Sequence, residues 1–304
     1  MTPSKELKGS LFILFSALMY ATLPVLVKMA YAEGLSPEST LFLRYLFSFL
    51  LLVVLLVGIK REPLLTVTPL VIAQGVLLTA GGLLYFFALE YLSAGLATVI
   101  FFAHPALVAI MGTVIYKESL APQVLAGLAL ALTGVFLLSG LHNGSSSPAS
   151  GIGIVYALLA CLCYAFYGLA GQKTVANGKP LSITATIALV AIFIVGPVYP
   201  QEAGVVFHLT WRQLLVTTSM ACFNTLMAVL FFLKGLQQIG ATRATLISTA
   251  EPVFCLILAY LILSETLTLK EIIGSGMVLA SMFLAIRPKD QAQLEPEGVK
   301  QEHL

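Results

Sequence analysis

Charge is scarce in this 304-residue chain: Asp, Glu, Lys and Arg together make up 10% of it, against roughly 25% in a soluble domain. A soluble protein this poor in charge could not cover its surface, so a water-soluble fold is excluded. An excess of one sign is lacking as well. The formal net charge of +2 offers no basic patch, and no nucleic-acid partner is expected. Cysteine is limited to Cys161, Cys163, Cys222 and Cys255. All four fall inside apolar runs, where they read as small packing residues and not as a disulfide frame or a metal cluster. The chain has no His-Glu-x-x-His or Gly-x-Ser-x-Gly stretch and no phosphate-cradling glycine loop. A membrane-embedded enzyme is therefore a distant alternative, and no catalytic residue, cofactor or metal is expected. A cleaved signal peptide is not expected either, because the first apolar run is too long and no small-residue cleavage site closes it.

What the chain has is apolar length. Hydrophobic residues make up 59% and gather into ten blocks: 8–30, 39–58, 69–89, 93–115, 122–140, 151–172, 182–200, 212–233, 241–263 and 270–287. Each approaches the roughly 20 helical residues that cross a ~30 Å hydrocarbon core. Barrel strands would be half as long and would alternate in polarity, which these blocks do not. The expected fold is an all-α membrane protein of ten transmembrane helices. Lys and Arg in the connecting segments set the orientation. With the N-terminus inside, twelve fall on the cytoplasmic side and three, Lys28, Arg212 and Lys270, on the outer side. Both termini are then cytoplasmic, and the polar stretch 288–304 is a short, disordered tail.

The chain also repeats itself. Ala97-Thr98, His104-Pro105 and Glu118-Ser119-Leu120 recur 147 positions later as Ala244-Thr245, Glu251-Pro252 and Glu265-Thr266-Leu267. Gly9 with Tyr20-Ala21 recurs as Gly153 with Tyr164-Ala165. Two halves built alike follow, the first over 8–140 and the second over 151–287, joined by a flexible linker at 141–150 that contains Asn143-Gly144-Ser145-Ser146-Ser147-Pro148. Five spans per half is an odd number, so the second half starts on the opposite face and the repeats are inverted. In a membrane chain, duplicated halves with interrupted helices point to a transporter's binding site.

The small residue and Thr, the proline in mid-helix, the Glu at the turn and the closing helices with Gly127 and Gly134, and Gly274 and Gly276, resemble the EamA-type repeat of the drug/metabolite transporter superfamily. The resemblance covers both halves. It implies a secondary transporter, usually an exporter of amino acids, other metabolites or toxic compounds. It also implies a central cavity between two four-helix bundles, with the fifth helix of each half at the periphery.

Ionisable groups inside the membrane each cost several kcal/mol unless paired or hydrated, on the order of 2.5–3.5 on insertion scales. Glu251 is read as a substrate-binding or coupling carboxylate, with stabilisation of packing as the bland alternative. His104 is its inverted mate, with a satisfied hydrogen-bonding group as the bland alternative. Each leads into a proline. Pro105 deprives the Phe101 carbonyl of its helical donor, and Pro252 does so for Ser248, so a neighbouring helix or water must supply one. Pro24 marks a further break, on a stripe of the first span with Ser16, Tyr20 and Lys28. Arg44 either snorkels to the outer interface or presents a carboxylate-binding fork at the outer mouth of the cavity. Most phenylalanines in such helices are packing or lipid-facing residues, and Phe101 joins the site by its place beside the break. Mid-membrane hydroxyls on Tyr20, Tyr85, Tyr164 and Tyr167 want partners, and Asn224 has the same need.

The function these readings favour is export of a small-molecule substrate by alternating access, from the inner membrane, by a monomer or homodimer in the bilayer. Glu251 suits an amine and Arg44 a carboxylate, so amino acids are the first expectation. Cationic drugs or toxic amines would need Glu251 alone. A passive channel is the weaker class, since neither a ring of identical subunits nor a carbonyl filter is visible.

Overall fold

The computed structural model describes residues 3–104, 148–175, 179–239, 250–265 and 269–285, with isolated positions between 107 and 137 and at 244, 247 and 248. Among the described residues there is helix and no strand. In chain order the helices are α1 (Pro3–Ala32), α2 (Pro37–Val53, extended by a π-helical stretch Val54–Lys60), α3 (Pro69–Tyr91), α4 (Ala94–Phe101), α5 (Pro148–Val175), α6 (Pro180–Val198), a short α7 (Pro200–Gly204) running into a 3-10 turn Val205–His208, α8 (Trp211–Met220), a π-helical stretch Ala221–Met227, α9 (Ala228–Ile239), α10 (Glu251–Leu263) and α11 (Leu269–Ala285).

Among the described residues six uninterrupted stretches are long and apolar enough to cross a membrane: Glu6–Ala32, Pro37–Lys60, Pro69–Tyr91, Gly151–Gly168, Pro180–Val198 and Trp211–Ile239. The protein is thus a multi-pass, all-helical membrane protein. The expected fifth span, 122–140, lies largely outside the described residues, as does the tail.

Helix starts follow from local chemistry. The Ser36, Thr68 and Ser93 hydroxyls accept from the backbone N–H three residues on, and Thr210 with Gln213 forms a reciprocal capping box. Prolines read in the sequence as spacers stand instead at first helical positions, as at Pro37 and Pro180. A proline lacks the N–H that a helix start leaves unpaired, so it opens the helix instead of preceding it. The linker expected at 141–150 lies mostly outside the described residues, and α5 is described from Pro148.

Inter-helix contacts carry the mark of inverted repeats. Helix α1 packs along α9, and α5 packs along α3. Gly9 lies against Gln238 and Ile239 at the end of α9, while Gly153 lies against Tyr91 and Leu92 at the end of α3. Shifting Tyr91 and Leu92 by the 147-residue repeat gives Gln238 and Ile239, so one contact is made twice. It is made at opposite faces: Tyr31, at the far end of α1 from Gly9, donates to the Phe86 carbonyl of α3 at 2.7 Å. The face that holds the end of α3 also holds Glu33, whose carbonyl accepts from Gln213 Nε2 at 2.9 Å. There too the Glu202 carboxylate of α7 accepts from Ser36 at 2.7 Å and Ser39 at 2.6 Å. Those two donors hold the Glu202 carboxyl below its ordinary pKa. At the other face Ser182 donates to the Pro63 carbonyl at 2.6 Å.

A Cβ added at Gly153 would sit 2.8 Å from both Leu92 Cγ and Tyr91 Cβ, whereas at Gly151 it would meet nothing within 4 Å. Gly153→Val is therefore expected to lower stability by about 1–3 kcal/mol through overpacking. Gly151→Ala should be neutral or raise it by up to about 1 kcal/mol. Thermal unfolding in one detergent compares the two directly.

Candidate functional site

The repeat's two proline motifs interrupt their helices in the same way. Helix α4 ends at Phe101, and Ala103 N–H turns back to the Ile100 carbonyl at 3.1 Å. Helix α10 begins at Glu251, preceded by Ala250, whose N–H turns back to the Ile247 carbonyl at 3.1 Å. The 147-residue shift maps each donor and acceptor of the first turn onto the second. Pro252 takes an early position of α10, where its missing N–H costs nothing; Pro105 lies outside the described residues. His104 Nδ1 stands 3.2 Å from the Phe101 carbonyl, so an Nδ1–H donates to the very acceptor that a proline at 105 strips of its helical donor. That arrangement matches the satisfied-group reading of His104. Its ring stacks edge-on against Tyr164 at 4.7 Å, behind the wall of the cavity.

A cavity of about 200 Å³ lies between these breaks, far above the roughly 10–15 Å³ that one water needs. Its walls include Tyr20, Pro24, Arg44, Tyr85, Phe101, Tyr164, Tyr167, Asn224 and Glu251. Nine of the side chains singled out from the sequence thus meet in one chamber, and His104 does not line it. The aromatic wall is continuous, with Phe101 5.0 Å from both Tyr85 and Tyr164, and Tyr164 5.3 Å from Tyr167.

Two groups bring charge to this wall. Arg44, half-buried, sets its guanidinium 5.3 Å from the centroid of the Tyr45 ring, a cation–π distance. Its Nε is buried without a hydrogen-bond partner, and among the described residues the one ion pair is Arg212 with Glu33 at 3.5 Å. Arg44 thus lines the cavity with its Nε buried. Glu251 lines the same cavity from the first turn of α10, where a carboxylate complements the positive end of the helix dipole. Tyr20 and Tyr85 line the same cavity as both groups.

Asn224 joins the chamber by a less direct route. Pro24 removes the donor for the Tyr20 carbonyl on α1. Asn224 Nδ2 comes to 3.4 Å of that carbonyl and 3.1 Å of Thr22 Oγ1, and also bonds the Met19 carbonyl. It sits in the π-helical stretch between α8 and α9, and such bulges re-aim side chains, frequently at functional sites. Its Oδ1 remains buried without a partner. A polar acceptor and a cationic donor thus both lack a protein partner among the described residues of this chamber's walls.

Sequence reading missed Tyr45, Thr98 and Thr225 as wall residues. Cys255 is fully buried, as expected of a packing residue. Thr98 Oγ1 lies 2.8 Å from the Tyr85 hydroxyl and 3.2 Å from Cys255 Sγ. Thr98 was visible as half of the repeated Ala-Thr pair, which carried no hint of its partners. Ser16, on the same stripe of the first span as Tyr20 and Pro24, donates to the Ala228 carbonyl at 2.8 Å and does not line the cavity.

An interrupted helix pair around a charged and aromatic chamber defines the class, a membrane transporter. A model of the EamA-like transporter family matches residues 7–140 and 151–287, and the chain belongs to that family. Among curated proteins it is similar to the uncharacterized inner membrane transporter YicL of Salmonella typhimurium, 25% identical over 91% of this chain and 94% of that one. It is likewise similar to the uncharacterized transporter YyaM of Bacillus subtilis, 24% identical over 82% and 84%. A solved crystal structure superposes with a TM-score of 0.65 over 95% of this chain and 99% of its own at 16% identity, which shows a shared fold.

Proposed function

We propose that the protein is a secondary exporter of small metabolites, amino acids first among them, working by alternating access about the central cavity. It spans the inner membrane ten times in this reading, with both termini cytoplasmic. The observation that carries it is the placing of Arg44 and Glu251 in one chamber, with no ion partner for either among the described residues. Unpaired charges inside a membrane are expensive, so a site that keeps two opposite ones apart is suited to a ligand that is itself a zwitterion. Arg44 takes the carboxylate, Glu251 takes the ammonium, and the Phe101–Tyr85–Tyr164 wall takes an apolar side chain. The unsatisfied Asn224 Oδ1 adds an acceptor for a ligand N–H.

Purified protein in proteoliposomes tests this directly. Saturable counterflow of labelled apolar amino acids is the expected result, with simple amines moving poorly. Counterflow of lipophilic amines without amino acids would favour an exporter of cationic drugs or toxic amines. Linear, non-saturable flux would favour a passive channel.

A further inference from the structure

The helices that end at the cavity, α4 and α10, run antiparallel and form a seam between the chamber and one membrane face. At the chamber end stand Thr98 and Phe101 on α4 and Glu251 on α10. At the surface end stand the first residues of α4 and, just beyond α10, Glu265. The Glu265 carboxylate reaches across the two halves of the chain. Its Oε1 accepts from Ala94 N–H at 2.8 Å and its Oε2 from Gly95 N–H at 3.3 Å. Both are N–H groups of the first turn of α4, which otherwise lack helical acceptors. Ser93 already caps Leu96 N–H at 3.1 Å, so the α4 terminus is closed by one residue of its own half and one of the other.

Between these ends the seam is tight. A Cβ on Gly95 would fall 2.6 Å from Leu256 Cδ2, so a larger residue there would have to displace the tip of Leu256. Deeper in, Thr98 Oγ1 lies 3.2 Å from Cys255 Sγ, and both side chains are buried. The backbone interruptions at Phe102–Ala103 and Ala250 lie at the chamber ends of the two helices. Each segment is thus interrupted at the cavity, while Glu265 binds their other ends together.

We propose that Glu265 is the latch of a gate formed by α4 and α10: its carboxylate fastens the α4 N-terminus to the second half, and its release opens the seam to the central cavity. The proposal rests on the alternating-access reading, but its test reads gate opening without a substrate, so the two fail separately. Breaking two charge-assisted bonds exchanges a fixed acceptor for water, which α4 finds only if the seam parts. Thr98 ties this latch to the chamber, because it bonds both Tyr85 in the cavity wall and Cys255 in the seam. A bound ligand that moves Tyr85 therefore acts on the same seam.

Cys255 is a native reporter for this gate, being fully buried in the closed seam. With Cys161, Cys163 and Cys222 replaced by alanine, the full chain in proteoliposomes is treated with a membrane-impermeant sulfonated maleimide and the rate of Cys255 labelling is measured. Glu265→Ala is expected to raise that rate on the order of tenfold, the scale of a lost helix cap. Glu265→Gln, which keeps one acceptor oxygen, should give a smaller rise and covers the case in which Glu265→Ala folds poorly. Thr68→Ala is the control. It removes the hydroxyl that caps Val71 N–H on α3, away from the seam, and should leave labelling unchanged. Unaltered labelling in both Glu265 variants would overturn the proposal. So would an equal rise in Thr68→Ala, since that would reflect general loosening and not a gate.

Discussion

Glu251→Gln is expected to weaken both counterflow and uphill efflux of amino acids, by about 2–5 kcal/mol in apparent affinity, or roughly 30-fold to several thousand-fold. The amide keeps the volume and one acceptor oxygen but not the charge. In the proposed complex the substrate ammonium would then sit in a chamber whose nearest cation, Arg44, repels it without compensation. Because Glu251 lines the cavity and no hydrogen bond ties it to another described side chain, its replacement should leave the folded amount of protein largely unchanged. The measurement is counterflow in proteoliposomes as a function of substrate concentration, alongside efflux driven by an imposed pH gradient. Loss of gradient-driven efflux with counterflow intact would transfer Glu251 from substrate binding to proton coupling. Normal affinity and normal gradient-driven efflux in a well-expressed Gln variant would refute both roles.

Glu251 and its neighbours also show how far the amino-acid sequence reaches. Composition and block length suffice for an all-helical membrane protein, because the hydrocarbon core forbids most other backbones. The repeat, read from a few motif residues, locates the helix breaks to within two positions, since a proline deletes a donor wherever it falls. Which side chains share a chamber was legible where a polar group must find a partner in lipid, as with Arg44, Tyr20 and Asn224. His104 shows the limit of that logic. Symmetry pairs it with Glu251, yet a histidine carries its own donor and can bond the carbonyl one turn back, which a carboxylate cannot do. One copy of the motif therefore satisfies itself and the other faces the cavity. Contacts across the halves were not legible at all. Glu265 was visible as a repeated residue at a turn, but nothing in its spacing tells that it caps Ala94 and Gly95, some 170 residues earlier. Cys255 is the buried packing residue its apolar run implied, but its contact with Thr98 is set by tertiary packing and could not be read from the sequence.

Arg44→Ala is expected to divide substrates by their chemistry. A guanidinium engages a carboxylate through paired N–H donors in a fixed fork, and the unpartnered Arg44 Nε is one such donor already buried at the chamber wall. Removing it should weaken transport of amino acids by about 1.5–3 kcal/mol, roughly 10- to 150-fold, because the substrate carboxylate would be left buried without its counter-charge. The matching decarboxylated amines lack that group and should lose little or even gain, since a repelling cation has gone. Arg44→Lys separates charge from geometry. An ammonium keeps the sign but not the fork, and it loses the guanidinium's place over the Tyr45 ring, so an intermediate loss for amino acids is expected. Concentration-dependent counterflow for each amino acid and its amine, measured in the three proteins at equal reconstituted amounts, gives the comparison. Equal impairment of both substrate types, accompanied by lower expression, would mean that Arg44 braces α2 against the aromatic wall and does not read the substrate. A selective loss for the carboxylate-bearing member of each pair would leave the cavity with two ligand-specific poles, Arg44 on α2 and Glu251 on α10.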